Sequence, residues 1–323
     1  MNTTISTAPS KTQVTWPTGF CDPAAGGLRE FLGNRFVYAV VSARARGLSI
    51  GVNMNPDKFC NFDCEYCEVN RAVSSIEKSL DVDVMAMELE RVLAQAYSGE
   101  LRTFPQFRNA PPELMQLRHV ALSGDGEPTL CPNFLDALRA VVHVRALGNF
   151  PFFKVVLITN ATGLDLPQVQ DGLKMFTPQD EVWAKLEAGS QGYLQEVNRP
   201  NCMIEKILEN ILLAARQRPV IIQSLFPLLN HEEPSAEEIE HYASRLSDLR
   251  RAGAQIPLVC NGVPVNPGDI VVADSDGVVI VPRAQAQAVL SLAQQMDYKE
   301  HSMYAVIEQL KSIVAAVKKF GRL

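Results

Sequence analysis

The sequence predicts an α/β protein: a partial (β/α)6 barrel followed by a C-terminal appendage made of a hairpin and a long helix. Two observations predict the barrel. Short β-branched runs alternate with segments of helical spacing, and the runs are apolar along their length, as in parallel strands that helices cover. A third observation marks the appendage, because this alternation stops after Gly253. We therefore divide the chain into a flexible lead-in (1–30), the barrel (31–253) and a tail (254–323).

The composition is that of a globular protein. Hydrophobic residues make up 47% of the 323 residues and charged residues 20%, and no run of about 18 apolar residues predicts a membrane span. The Ser/Thr-rich start lacks the apolar stretch of a secretory signal, so we expect a cytoplasmic protein. The net charge of −6 does not favour binding to nucleic acid, which would need a local basic groove.

The barrel elements follow in order from these patterns. The β-branched runs predict parallel strands at residues 48–54, 119–123, 153–159, 181–186 and 220–226. Helical spacing predicts helices at residues 82–97, 132–147, 167–176, 204–216 and 236–252. Right-handed crossovers place the loops that follow the strands on one rim, where barrel proteins carry their functional residues.

The tail departs from this pattern. Residues 263–269 are rich in turn formers, and the segments 270–273 and 278–281 flank an Asp-Gly pair that favours a hairpin. Pro282 ends the second strand of that hairpin, and residues 283–319 have helical character.

Three of the seven cysteines, Cys60, Cys64 and Cys67, lie within eight residues, in a loop after the first predicted strand. An odd number of cysteines, with three clustered, favours metal or cluster ligation over disulfides in a reducing compartment. Thiolates suit iron–sulfur clusters and zinc, and a [4Fe-4S] cluster normally takes four of them. Three ligands leave one iron without a protein donor, and an open coordination site is typical of a reactive centre.

Two alternatives for these cysteines stay open. Their spacing is also that of a buried stripe on a helix, where cysteine packs as a small hydrophobe. The other alternative is a zinc site completed by His119 or Cys131, although neither stands at a zinc-finger spacing.

The segment CNFDCEYC resembles the C-x3-C-x2-C signature of the radical S-adenosylmethionine (SAM) superfamily, with an aromatic residue, Tyr66, before the third cysteine. The resemblance implies that the amino and carboxylate groups of SAM chelate the open iron of a [4Fe-4S] cluster. It implies that one electron from the cluster cleaves SAM to a 5′-deoxyadenosyl radical, and that an external flavodoxin or ferredoxin supplies this electron. Tyr66 would pack near the adenine.

A glycine-rich turn, Gly124-Asp125-Gly126-Glu127-Pro128, follows the second predicted strand. Its glycines let the backbone approach a ligand closely, and an acid after them can accept hydrogen bonds from an ammonium group. An ordinary turn with a helix-capping acid is the alternative. The turn resembles the GGEP motif of the same superfamily, with Asp125 in place of the first glycine, and the resemblance implies that it holds the methionine amino group.

The ends of the later strands add polar candidates, although each taken singly is equally typical of a strand end without a ligand. Thr159 and Asn160 resemble the superfamily's T-N-G/A segment, which lies beside SAM. Alternation points Lys185 and Glu187 to one side of the fourth strand, where they can contact carboxylate or ribose. Arg199 is a candidate for an anionic group of the substrate. The predicted SAM contacts are Tyr66, Gly124, Asp125, Gly126, Glu127, Thr159, Asn160, Lys185, Glu187, Gln223 and Ser224.

Over residues 48–253 the chain resembles an uncharacterised bacterial group of radical SAM proteins, distantly similar to the wyosine-forming tRNA enzymes and to activases. This implies an enzyme whose substrate the sequence does not specify. The resemblance also implies a sixth strand after Gly253, which is missing or altered in this sequence.

Residues 257–299 resemble the C-terminal part of the RraA-like family, which includes regulators of ribonuclease E and 4-hydroxy-4-methyl-2-oxoglutarate aldolases. The Arg-Asp metal segment of that family has no match in this sequence, so we do not expect aldolase activity. Members of that family form rings, which makes self-association through the tail a further expectation. The second hypothesis for the whole chain is a non-catalytic metal-binding or regulatory fusion protein.

Overall fold

The fold is that of a computed structural model, which describes residues 31–42, 45–256, 258–260, 263–265, 270–274 and 277–297. The predicted lead-in over residues 1–30 lies outside these ranges. Contacts divide the chain into two units, Met1–Ile256 and Pro257–Leu323. The domain limits at residues 30 and 253 stay predictions.

The first unit contains a six-stranded sheet whose strands neighbour one another in chain order. The strands are β1 (Val37–Ser42), β2 (Gly47–Asn53), β3 (Leu117–Ser123), β4 (Lys154–Thr159), β5 (Glu181–Lys185) and β6 (Val220–Gln223). β1 pairs antiparallel with β2, and β2 to β6 are parallel. Parallel strands in chain order with helical connections form the wall of a (β/α) barrel. The predicted partial barrel is confirmed.

Helices connect the parallel strands. Those of the first unit, within the described ranges, are α1 (Val82–Ser98), α2 (Phe134–Ala146), α3 (Pro167–Leu173), α4 (Gln191–Val197), α5 (Ile204–Ala215) and α6 (Ala236–Arg251). All except α4 were predicted; α4 is too short to show a helical period. α1 begins where the Asp81 side chain accepts the Val84 N–H and ends at Gly99, in the left-handed region at φ 80°. No helix within these ranges is long and apolar enough to cross a membrane.

The antiparallel strand β1 was not predicted from the sequence. It supplies the sixth strand at the N-terminal edge of the sheet, whereas the sequence analysis looked for one after Gly253. Glu88 of α1 holds the start of β1, since its buried carboxylate accepts the backbone N–H groups of Arg35, Phe36 and Val37 at 2.7, 2.9 and 3.0 Å. β1 therefore depends on a contact between segments about 50 residues apart.

A buried ion pair joins α2 to the start of β5. Arg145 donates to both carboxylate oxygens of Asp180, at 2.7 and 3.1 Å, and the two side chains are 8% and 0% exposed. Asp180 also accepts the backbone N–H groups of Val155 and Thr177, each at 2.7 Å. Burial raises the pKa of Asp180, but the bonds from Arg145 and the two backbone groups outweigh it, so the pKa lies below its ordinary value.

Replacing Asp180 with Asn should lower the free energy of unfolding by about 3–5 kcal/mol, because Arg145 would remain buried without its counter-ion. The pKa of Asp180 is depressed in the folded state, so its stabilisation is fully present above the unfolded-state pKa and is lost as pH falls through the folded-state pKa. The measurement is urea unfolding of wild type and Asp180→Asn over a range of pH. The difference between their midpoints should become smaller as the pH falls into the acid range. A gap that stays constant into acid would contradict this assignment.

The second unit contains two antiparallel strand pairs among its described residues. β7 (Leu258–Cys260) pairs with β8 (Val263–Val265), and β9 (Ile270–Asp274) pairs with β10 (Gly277–Val281). The predicted hairpin is confirmed by the second pair. Residues 286–297 are helical, and the remainder of the predicted C-terminal helix lies outside the described residues.

Candidate functional site

A pocket lies at the carboxyl ends of the parallel strands. The loop after β2, the turn after β3 and side chains on one face of the sheet line it. The predicted site residues among its lining are Cys60, Cys64, Tyr66, Cys67, Gly124, Asp125, Gly126 and Lys185. Most of the cluster and cofactor candidates therefore meet at one rim. The lining also includes Arg71, which the sequence analysis did not single out, and the sheet side chains Tyr38, Ser49, His119, Ser123 and Trp183.

The cysteine loop is not helical, since residues 54–80 contain no helix. The alternative of a buried helix stripe is therefore wrong. Cys60, Cys64 and Cys67 are partly exposed, and none forms a disulfide. All three line the pocket, so their thiols are open to a ligand there.

The loop is held in place by the end of α4. The backbone N–H groups of Asp63 and Glu65 donate to the carbonyl oxygens of Asn198 and Val197, at 3.0 and 2.8 Å. The guanidinium of Arg199 pairs with Asp63 and Glu65 at 3.0 and 2.5 Å. Arg199, a candidate for an anionic group of the substrate, pairs with two carboxylates of the cysteine loop and so helps to hold that loop; its contact with a substrate stays a prediction.

Each of the three sulfurs accepts an N–H group. The backbone of Phe62 donates to Cys60 at 3.4 Å, the Asn198 amide to Cys64 at 3.3 Å and Arg71 to Cys67 at 3.1 Å. Hydrogen bonds of this kind stabilise thiolate ligands and tune the potentials of iron–sulfur clusters. Without a metal, burial raises the pKa of Cys60 to about 11 and also raises that of Cys64. Ligation by a cation would offset this cost of burying a thiolate.

The zinc alternative needs a fourth ligand close to these sulfurs. In the described part of the chain, no three His, Cys, Asp or Glu side chains converge on one metal position, whereas the thiolates of a cubane bind different irons. The zinc alternative relied on His119 or Cys131. His119 Nε2 lies 2.9 Å from Ser49 Oγ, and its ring packs edge-on against Trp183, while Cys131 is only 2% exposed. The geometry does not support the zinc site.

In the turn after β3, Glu127 accepts four hydrogen bonds from within the protein. Its buried carboxylate accepts Thr129 N–H at 3.1 Å and Asn160 N–H at 2.7 Å. It also accepts the hydroxyls of Thr129 and Thr159, at 2.6 and 2.5 Å. Through these bonds Glu127 joins the turn to the end of β4, and its predicted contact with SAM stays a prediction. Thr159 and Asn160 serve the same junction.

Asp125 is the acid of this turn that lines the pocket. Asn53, at the end of β2, holds it on two sides: the Asn53 amide donates to Asp125 Oδ2 at 2.8 Å, and the Asp125 N–H donates to Asn53 Oδ1 at 3.0 Å. The residue that departs from the GGEP pattern therefore brings a fixed carboxylate to the pocket. The sequence analysis did not single out Asn53.

Glu187 forms a buried group with Tyr66 and Asn198. The Tyr66 hydroxyl donates to the Glu187 carboxylate, and the Asn198 amide donates to Glu187 Oε2 at 2.5 Å. Burial and the nearby Glu187 charge raise the pKa of Tyr66, which keeps the hydroxyl protonated as a donor. Glu187 therefore holds Tyr66 in place, and its predicted contact with SAM stays a prediction. Lys185 lies over the Tyr66 ring, with Nζ 5.4 Å from its centroid.

The last two predicted contacts stand at the end of β6. The Gln223 carbonyl accepts the Leu186 N–H at 3.1 Å, and Ser224 shares a hydrogen bond with the Tyr242 hydroxyl. Neither residue lines the pocket. Within the described residues, the buried amide oxygens of Gln223, Asn55 and Asn198 have no hydrogen-bond partner. None of these three residues lines the pocket.

Fold and site together define a partial α/β barrel with a three-cysteine loop at the carboxyl ends of its strands. Residues 54–246 match the family model described as the Radical SAM superfamily, and the chain belongs to this superfamily. Membership implies an enzyme that uses SAM and an iron–sulfur cluster. Residues 235–280 match the model described as Aldolase/RraA, so the predicted likeness of the tail is confirmed; the match begins earlier than predicted, at the residue before α6, and ends earlier, at residue 280.

The chain is also similar to individual proteins. The chain is 29% identical over 183 residues to a UPF0026 protein of Helicobacter pylori, covering 54% of this chain and 50% of that protein. It is 25% identical to the mouse S-adenosyl-L-methionine-dependent tRNA 4-demethylwyosine synthase TYW1, covering 49% and 21%. A solved structure of TYW1 with a lysine-pyruvate adduct is 16% identical, covers 74% and 81%, and has a TM-score of 0.42. The chain spans about half the length of the UPF0026 relatives it matches.

Proposed function

We propose that the chain is a radical SAM enzyme in which Cys60, Cys64 and Cys67 hold a [4Fe-4S] cluster with one iron open to SAM. The observation that carries this proposal is that all three thiols reach the pocket rim, each with an N–H donor on its sulfur. When bound, the cluster and SAM supply reductive cleavage of SAM to methionine and a 5′-deoxyadenosyl radical. A flavodoxin or ferredoxin supplies the electron, and the substrate is unassigned.

Three residues that line the pocket each bind a different part of SAM. Asp125 offers a carboxylate for the methionine ammonium group, and Lys185 offers a cation for the methionine carboxylate. Tyr66, fixed by Glu187 and Asn198, presents an aromatic face for the adenine. Glu127 holds the turn that carries Asp125.

The substrate binds deeper, against the inner face of the sheet. The side chains there include two aromatic rings, those of Tyr38 and Trp183. Tyr38 shares a 3.0 Å hydrogen bond with Ser123, and this contact fixes its ring above Gly51, where an added Cβ would overlap it. A wall of this kind excludes water from a radical and suits an uncharged portion of the substrate.

The direct test is anaerobic reconstitution of the full chain with iron and sulfide. We expect a brown protein with about four irons per chain, a visible absorbance that dithionite bleaches, and 5′-deoxyadenosine on addition of SAM. Bound zinc without cleavage product would contradict the proposal. It would favour the second candidate, a non-catalytic regulatory fusion protein, which the Aldolase/RraA match over residues 235–280 supports.

Self-association through that tail is tested separately, by measuring the oligomeric state of the protein with and without residues 257–323.

Replacing Asp125 with Asn should weaken SAM binding by about tenfold or more, because a charge-assisted hydrogen bond to an ammonium group would become a neutral one. Asp125→Gly, which restores the glycine of the motif, should weaken it similarly. SAM affinity is measured by calorimetry on the reconstituted protein. Asp136→Asn, at an exposed acid of α2, is the control. Unchanged affinity in Asp125→Asn would show that another group binds the ammonium.

A further inference from the structure

We infer that Arg71 is a positioning residue that raises the reduction potential of the cluster and so eases electron delivery to it. This inference rests on the proposed function. Arg71 lies four residues after Cys67 and belongs to neither motif. Its guanidinium donates to the Cys67 sulfur at 3.1 Å, and it lines the pocket.

Two further hydrogen bonds orient the Arg71 guanidinium toward the Cys67 sulfur. Nη2 donates to the carbonyl oxygen of Asp125, and Nε donates to that of Lys58, each at 3.4 Å. The two carbonyls belong to the turn after β3 and to the start of the cysteine loop. They hold the planar fork on two sides and leave Nη1 directed at Cys67. The same contacts tie together the two segments that bind the cluster and SAM.

The positive charge of Arg71 determines the direction in which the reduction potential of the cluster shifts. One electron passes from the external donor to the cluster, no covalent bond changes in that step, and the cluster becomes more negative by one charge. A cation that donates to a ligating sulfur stabilises the reduced state more than the oxidised state, and so raises the potential. The other two sulfurs accept from neutral donors, the Phe62 backbone and the Asn198 amide. Arg71 should therefore have the largest effect of the three.

The test is a redox titration of the reconstituted full chain, followed by the electron paramagnetic resonance signal of the reduced cluster. We expect Arg71→Gln to have a more negative midpoint potential than wild type, at equal iron content. Arg71→Lys keeps the charge and loses the fork, so its potential should lie between the two. The matched control is Arg199→Gln, which removes a cation that braces the same loop without touching a sulfur. It should shift the potential much less, since two carboxylates neutralise that charge.

Equal shifts in Arg71→Gln and Arg199→Gln would overturn the inference, since loop position or general charge would then explain both. A wild-type potential in Arg71→Gln would also overturn it. If Arg71→Gln fails to take up iron, the comparison is made with Arg71→Lys, and a wild-type potential there overturns the inference. The proposed function fails separately, when wild-type protein takes up no cluster or cleaves no SAM.

Discussion

Protein with Cys60, Cys64 and Cys67 all replaced by alanine should take up no iron–sulfur cluster and form no 5′-deoxyadenosine above background. The reason is that the thiolates are the soft ligands at the pocket rim, and a cluster with one iron already open has no ligand to spare. Each single replacement should also abolish cleavage, because a second open iron makes the cluster labile. Iron and sulfide analysis and product chromatography measure these outcomes.

The fold should survive this triple substitution. The three thiols are partly exposed in a loop without helix, so truncation leaves no large core cavity, and the thermal midpoint of the metal-free protein should change little. Cys202→Ala is the matched control: Cys202 is also a free, partly buried cysteine but does not line the pocket, so full cluster loading is expected. Colour or cleavage product in the triple variant would refute the assignment of these ligands.

The second large effect is expected at Gly126, where the turn after β3 meets the cysteine loop. A Cβ added there would overlap the carbonyl oxygen of Phe59, the residue before Cys60. That carbonyl also accepts the Glu127 N–H at 3.1 Å, so neither backbone segment can move without breaking a contact. Gly126→Ala should therefore cost about 1–3 kcal/mol of unfolding free energy and should displace the loop from the turn.

The functional loss in Gly126→Ala should exceed the loss of stability. Cluster content and SAM affinity should both fall strongly at temperatures where the variant remains folded, because Cys60 follows the displaced Phe59 directly. Gly192→Ala, in α4, is the matched control, since an added Cβ there meets nothing within 4 Å. Near wild-type cluster content and SAM affinity in folded Gly126→Ala would show that binding of the cluster and SAM does not need the close approach of Gly126 to the Phe59 carbonyl.

The parallel part of the fold was predictable because its signal is local. All seven residues of β2 are buried, and the strand contains Leu48, Ile50 and Val52 and no charged residue, which marks it in the sequence. The long helices carry apolar stripes and local caps, such as Asp81 before α1. β1 was missed because it is defined by pairing with β2 and by the contact from Glu88, neither of which is visible in a local pattern.

The sequence identified most residues of the candidate site, but it did not show which contacts each of them makes. Local spacing identified the three cysteines, and the position of polar residues after strands identified the turn at Gly124–Glu127. A sequence shows that an acid stands at a strand end, but not which donors surround it. Arg71 was missed for the same reason, since it belongs to no motif, and the contact of Asn198 with a sulfur is not visible in the sequence either.

By itself the sequence determined the strand and helix order, the cysteine loop and the resemblance to radical SAM proteins, because burial of apolar runs and ligation by nearby thiolates depend on residues close in the chain. Long-range contacts decided which of the predicted acids lines the pocket. Glu127 and Glu187 are occupied by donors up to 33 and 121 residues away, whereas Asp125 is held at the rim by Asn53. A buried carboxylate must be satisfied by donors, and folding determines which donors reach it.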